Sequence, residues 1–191
     1  MIDRHRRARP VLTVTLLWGT LICLGAGFLM GASGCAGSPP REAVTPSGFK
    51  MLRVGDLAIA GQPSAPQLGE IVKAGYKTVI TVRKPDEIDW NEAAEVTSRG
   101  MRFGQIPSAP ETIEVSLLSR VRSMIEQSPK PVLLHCSSGN RAAIVWGMLE
   151  AGKRPDEEIL QIAEDAGLKE QYRPLLVDYL NKHSEGKGRL R

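Results

Sequence analysis

The stretch that most limits what this chain can fold into is Val132 to Trp146, V-L-L-H-C-S-S-G-N-R-A-A-I-V-W. A short apolar run stops at a histidine and a cysteine, crosses small residues and a glycine, and resumes as an apolar helical pattern. That order predicts a strand, a tight loop and a helix N-terminus. Ser137, Ser138, Gly139 and Asn140 are small or tolerant of positive φ, so successive backbone N–H groups can turn inward around an anion. The helix opening near Arg141 adds unpaired N–H groups and the positive end of its dipole. Cys136 stands at the mouth of this nest, where such surroundings favour the thiolate, the nucleophilic form of a cysteine. Arg141 brings a planar fork of donors suited to two oxygens of one phosphate-like group.

Charge excludes one class of partner. The chain of 191 residues has a formal net charge of +4, but Arg4, Arg6, Arg7 and Arg9 sit in the first ten residues against only Asp3. Without them the remainder is close to neutral, so no nucleic-acid footprint is expected. The three cysteines fall in separate contexts: Cys23 inside an apolar leader, Cys35 at its end, Cys136 in the loop. If the leader is removed at Cys35, Cys136 is the only free thiol left and no disulfide within the chain is possible. No metal cluster, nucleotide fingerprint or cofactor box is present, so neither metal nor cofactor is expected.

Arginines followed by the apolar run Val11 to Met30 have the layout of a secretory leader or membrane anchor. Its end, Gly31-Ala32-Ser33-Gly34-Cys35, resembles the lipobox of bacterial lipoproteins, in which the cysteine is lipidated and becomes the new N-terminus. Ala32 stands where that motif usually has leucine. Residues 1–35 are therefore expected to be a lipoprotein-type signal peptide with lipidation at Cys35, or else an uncleaved anchor or a plain signal peptide, each of which exports the domain to a periplasmic or cell-surface face. Residues 36–48, rich in Pro, Gly and Ser, read as a flexible tether. A folded domain is expected over 49–184 and a charged tail over 185–191.

Within the domain, strands are expected at Leu57 to Ala60, Lys77 to Val82, Phe103 to Ile106 and Val132 to His135. Helices are expected from Ser64, which with Gln67 has a capping-box pattern, around Leu117 to Ile125, from Arg141 to Ala151, and in two closing segments, Pro155 to Ala166 and Tyr172 to Asn181, while Asp86 to Arg99 reads as loop then helix with Trp90, Ala93, Ala94 and Thr97 on one side. Alternating strand and helix predicts an α/β fold: a central, mostly parallel sheet of about four to five strands flanked by helices, with its ligand site at the strands' carboxyl ends.

Residues Leu52 to Tyr179 resemble the bacterial beta-lactamase-hydrolase-like protein phosphatase domain, a branch of the protein tyrosine and dual-specificity phosphatase-like fold. The matching pieces are G-Q-P-S at Gly61 to Ser64, A-G-Y-K-T-V-I-T-V-R at Ala74 to Arg83, H-C-S-S-G-N-R at His135 to Arg141 and A-G-L at Ala166 to Leu168. The resemblance implies a phosphocysteine mechanism in which Cys136 attacks phosphorus while Arg141 and the amides of Ser137, Ser138, Gly139 and Asn140 hold the oxygens. It implies a phosphorylated protein or small phosphoester as substrate.

Three departures mark this chain. Four residues separate cysteine from arginine, where well-characterised tyrosine phosphatases have five. Ala142 follows the arginine in place of a serine or threonine. The region expected to supply an aspartate general acid, Ile106 to Glu111, has none. Glu111 is the nearest substitute, and Asp86 or Asp89 on the earlier loop are others. His135 is expected to orient the loop or to close the strand end; Arg83 adds charge near substrate or pairs with Asp86 or Glu87. Gln62 and Ser64 read as turn and cap residues, Trp90 and Trp146 as core. A rhodanese-like sulfurtransferase, whose loop also has four residues between cysteine and arginine, and a tethered oxyanion-binding or partner-binding module are the competing readings.

Overall fold

A computed structural model of the chain describes residues 39–109 and 113–183. The leader, Cys35, Glu111 and the tail 185–191 lie outside the described residues. A six-stranded sheet runs in the order β1-β2-β3-β6-β4-β5, from β1 (Arg41–Val44), β2 (Lys50–Val54), β3 (Leu57–Ala60), β4 (Thr78–Thr81), β5 (Arg102–Gln105) and β6 (Val132–His135). The β3–β6, β6–β4 and β4–β5 pairings are parallel, whereas β1–β2 and β2–β3 are antiparallel. The sheet is thus mostly parallel at its centre, with one or two more strands than the pattern predicts.

Both additional strands lie at the N-terminal edge. Val54 faces Leu57 across Gly55 and Asp56, so β2 and β3 form a two-residue hairpin, and Gly55 takes φ +63°. A Gly-Asp pair between two apolar runs is a hairpin signal in its own right. The residues at 41–44 pair with β2, so the segment expected to be a structureless tether supplies an edge strand instead. Turn contacts hold it there: Thr45 N–H donates to the Phe49 carbonyl at 2.9 Å, and Phe49 N–H to Thr45 Oγ1 at 3.2 Å. Charged residues at the start of R-E-A-V hide its strand character, but an edge strand needs few apolar side chains.

Alternation sorts the central strands between two cores. Ile59, Ile80, Val132 and Leu134 point to the side covered by α3 (Val115–Glu126), α4 (Asn140–Glu150), α5 (Asp156–Asp165) and α6 (Arg173–His183). Ala58, Ala60, Val79 and Leu133 point to the side covered by α1 (Ala65–Lys73) and α2 (Glu92–Ser98). Burial on both faces explains why the strands read as unbroken apolar runs. Helix α4 is buried from Asn140 to Leu149, Trp146 included, as its all-round apolar pattern requires.

Helix α1 begins with the expected capping contact, Ser64 N–H donating to Gln67 Oε1 at 2.8 Å. Helix α2 corrects the expected face. Its buried positions are Glu92 and Val96, four residues apart, while Ala93 is half-buried, Ala94 and Thr97 are exposed, and Trp90 packs against the core partly covered. A carboxylate on the inner face masks the apolar stripe; its partners lie in the site.

Candidate active site

The loop Cys136 to Arg141 joins the C-terminal end of β6 to the start of α4, with Gly139 as the left-handed residue at the turn, φ +92°. Its small residues answer to close neighbours. A Cβ at Gly61 would stand 3.3 Å from the Ser137 carbonyl oxygen, and one at Gly139 would stand 3.2 Å from that of Ala166. Both G-Q-P-S and A-G-L therefore pack directly on the loop. Asn140, itself buried, pins it further: Nδ2 donates to Ser138 Oγ at 2.9 Å and Oδ1 accepts the Lys169 N–H at 2.7 Å. Cys136 is fully buried, and its Sγ accepts the Gly139 N–H at 3.2 Å.

Arg141 is held on three sides. Nη1 donates to Glu87 Oε1 at 2.6 Å and to the Ser108 carbonyl at 2.8 Å. Nη2 donates to Glu87 Oε2 and, at 2.9 Å, to Ser137 Oγ. The Ser137 hydroxyl in turn donates to Glu87 Oε2. Glu87 beside it raises the guanidinium's proton affinity against the effect of burial, and the nearby Cys136 sulfur adds to this. Arg141 in turn holds the Glu87 carboxyl at about 2, well below the ordinary carboxylate range, with burial opposing and Ser137 assisting. All four Nη protons are thus engaged, and two of them fix the end of the fork to one carboxylate.

Below the loop lies a second, buried cluster. Glu92 Oε2 accepts from Arg83 Nη2 at 2.9 Å, and its Oε1 accepts from Gln62 Nε2 at 2.8 Å and stands 3.0 Å from His135 Nε2. Burial pushes the Glu92 carboxyl up, but His135, Arg83 and Gln62 together outweigh it and leave it below its usual value. Arg83 also donates to the carbonyls of Lys84, at 2.7 Å, and Pro85, at 3.3 Å. Arg83 is 2% exposed. Its partner is Glu92, neither Asp86 nor Glu87, and its charge is used inside the fold, away from solvent. His135 reaches the loop as well, with Nδ1 3.3 Å from the Cys136 carbonyl oxygen.

Of the expected acids, Asp86 and Asp89 are exposed, and neither bonds to Cys136, Arg141 or the residues between them. Ser108 brings the chain to Arg141 three residues before Glu111. The two carboxylates that do hold the site, Glu87 and Glu92, escaped sequence reasoning as site residues. For Glu92 the signal was available, since Glu92 and Val96 share one helical face. For Glu87 none was: it pairs with an arginine 54 residues away.

Residues 49–153 match the family of the beta-lactamase hydrolase-like protein, phosphatase-like domain. Beta-lactamase hydrolase-like proteins of Xylella fastidiosa and Agrobacterium fabrum are 26% and 28% identical over 110 and 109 residues, 54% of this chain in each case. The match spans about a quarter of the length of these relatives, 26% and 25%. Among solved structures, a candidate phosphatase from Neisseria meningitidis is 26% identical with a TM-score of 0.58, over 65% of this chain and 93% of that one. The Pseudomonas aeruginosa protein TpbA, as a cysteine-to-serine variant in complex with pTyr, is 19% identical with a TM-score of 0.58, over 74% and 87%, and shares the fold.

Proposed function

Because the chain belongs to the phosphatase-like domain family of beta-lactamase hydrolase-like proteins, we propose that it is a cysteine-dependent phosphatase acting on phosphate monoesters through a phosphocysteine intermediate. The observation that carries this reading is the meeting of Cys136, its sulfur accepting the Gly139 N–H, with the Arg141 guanidinium in one loop, the guanidinium already braced by Glu87 and Ser108. The Cys136 thiolate attacks phosphorus, the P–S bond forms as the ester P–O bond breaks, and the leaving oxygen takes a proton. Water then attacks phosphorus, releasing phosphate and the thiolate. Arg141 and the loop amides stabilise the equatorial oxygens as charge redistributes, the kind of fixed, preorganised donor set that lowers such barriers most.

We assign the leaving-group proton to Glu111, the nearest carboxylate in the segment where related phosphatases carry an aspartate. Ala142, fully buried and apolar, offers the departing thiolate no hydroxyl, so the Gly139 N–H carries that task. The complex of TpbA with pTyr supports a phosphoester substrate, a phosphorylated protein or a small molecule. We also propose that the domain is exported and tethered to a membrane through lipid at Cys35.

The test is hydrolysis of two aryl phosphates, one with a good and one with a poor leaving group. Cys136→Ser should abolish turnover, and Arg141→Ala should lower it by about 10²–10³-fold. Glu111→Gln should slow the poor leaving group far more than the good one. Sulfur transfer from thiosulfate to cyanide, or wild-type inertness toward both esters, would overturn the phosphatase reading.

A further inference from the structure

An anion nest works only if its N–H groups point inward, and in a trans peptide the N–H points opposite to the carbonyl of the same plane. The carbonyls on the outside of the loop therefore set where the amides point. The Ser137 carbonyl accepts the Gln62 N–H at 3.0 Å, which turns the Ser138 N–H the other way. The Cys136 carbonyl stands 3.3 Å from His135 Nδ1, which orients the Ser137 N–H in the same sense. Neither of these N–H groups donates a hydrogen bond among the described residues.

Both anchors lead to one atom. Gln62 Nε2 and His135 Nε2 converge on Glu92 Oε1 at 2.8 and 3.0 Å, while Arg83 holds Oε2 at 2.9 Å. Glu92 is 2% exposed and touches neither Cys136 nor Arg141. It joins the turn after β3, the end of β4, the start of α2 and the end of β6, the four places whose relative positions determine the nest. Two arms of unequal strength result. The Gln62 arm has two short hydrogen bonds in series, whereas His135 stands between two acceptors, Glu92 Oε1 at 3.0 Å and the Cys136 carbonyl at 3.3 Å, with a single N–H in its neutral form.

We propose that Glu92 is a positioning residue for the anion nest: acting through Gln62 and His135, it sets the peptide planes that aim the Ser137 and Ser138 amides at a bound oxyanion. The proposal rests on the oxyanion-binding part of the phosphatase reading, and it extends the site to a residue on α2 that meets no substrate. A buried carboxylate hydrogen-bonded by Arg83 and Gln62, with His135 Nε2 3.0 Å from Oε1, is costly to disturb, so the arrangement is held in one geometry.

The experiment uses inorganic phosphate as probe, with isothermal titration and ¹H–¹⁵N spectra of the wild type, Glu92→Gln, Gln62→Ala and the double variant. Glu92→Gln is expected to bind phosphate about tenfold more weakly, the scale of one lost hydrogen bond. The Ser137 and Ser138 amide signals, which shift on phosphate addition in the wild type, should shift much less. Gln62→Ala should give part of that loss, and the double variant no more than Glu92→Gln alone. A folded Glu92→Gln with wild-type phosphate affinity, or strictly additive losses, would overturn the proposal. If Glu92→Gln does not fold, Gln62→Ala decides: unchanged affinity overturns it and weakened affinity sustains it. A wild type that binds phosphate but hydrolyses no ester removes the phosphatase reading and leaves this one standing; a wild type that binds no phosphate removes both.

Discussion

Arg141 makes a contact that a lysine could not: the two nitrogens at the end of its planar fork each bind one oxygen of the Glu87 carboxylate. The Glu87 carboxyl, held at about 2 by Arg141, has a folded-state value depressed below its unfolded one. Its contribution to stability is therefore fully present above the unfolded value, about 4.3, and is lost as pH falls toward 2. The pair is partly open to water, with 27% of the Glu87 side chain exposed, so screening keeps the effect small. Glu87→Gln is expected to melt about 2–4 °C below the wild type at pH 7. Melting curves taken from pH 7 downward should converge between about pH 4.3 and about pH 2, and a gap that persists at the acid end would refute the pairing. Glu92 differs in kind, because its neighbours are all buried or half-buried and all belong to the fold.

Helix α4 links the candidate site to packing, since its first turn closes the loop from Cys136 to Arg141 and its body is the most buried helix among the described residues. Gly147 lies on it where α5 and α6 close in. A Cβ there would meet Leu176 at 2.7 and 2.9 Å and Ile159 at 3.2 Å. Both neighbours are fully buried, so neither has space to retreat. Alanine is the better helix former by about 1 kcal/mol, but overpacking a core costs about 1–3 kcal/mol. Gly147→Ala should therefore destabilise by roughly 1 kcal/mol in denaturant unfolding; a stabilised variant would show that the contact relaxes freely. Gly104 contrasts with it, because the atom in the way there is the sulfur of Met124, a flexible side chain that can swing aside.

At the scale of the whole molecule, the N-terminal hairpin changes how the domain would hang from a membrane. With β1 beginning at Arg41, only Ala36 to Pro40 separate Cys35 from the sheet. Five extended residues reach at most about 18 Å, so lipid at Cys35 would keep the domain near the bilayer surface. Expression of the full chain in a bacterial host with lipoprotein processing should yield a membrane-fraction protein whose mass corresponds to a chain starting at an acylated Cys35. An intact leader, or a soluble product without acyl mass, would reject the tether. Among the described residues no helix is long and apolar enough to cross a membrane.

The local sequence determined the strand, loop and helix at Val132 to Arg141, because small residues, a glycine and a change of apolar period leave the backbone few other choices. The central strands and the capped start of α1 were legible for the same reason: their signals come from neighbours in the chain. Tertiary structure alone decided what the two carboxylates pair with. The spacing of Glu92 and Val96 hints that Glu92 faces inward, but Glu87 looks like an ordinary surface acid until folding brings Arg141 beside it, and charge pairing over such separations leaves no periodic trace in a sequence. The edge strand β1 was hidden likewise, since what makes Arg41 to Val44 a strand is the row of hydrogen-bonding groups on β2 that it covers.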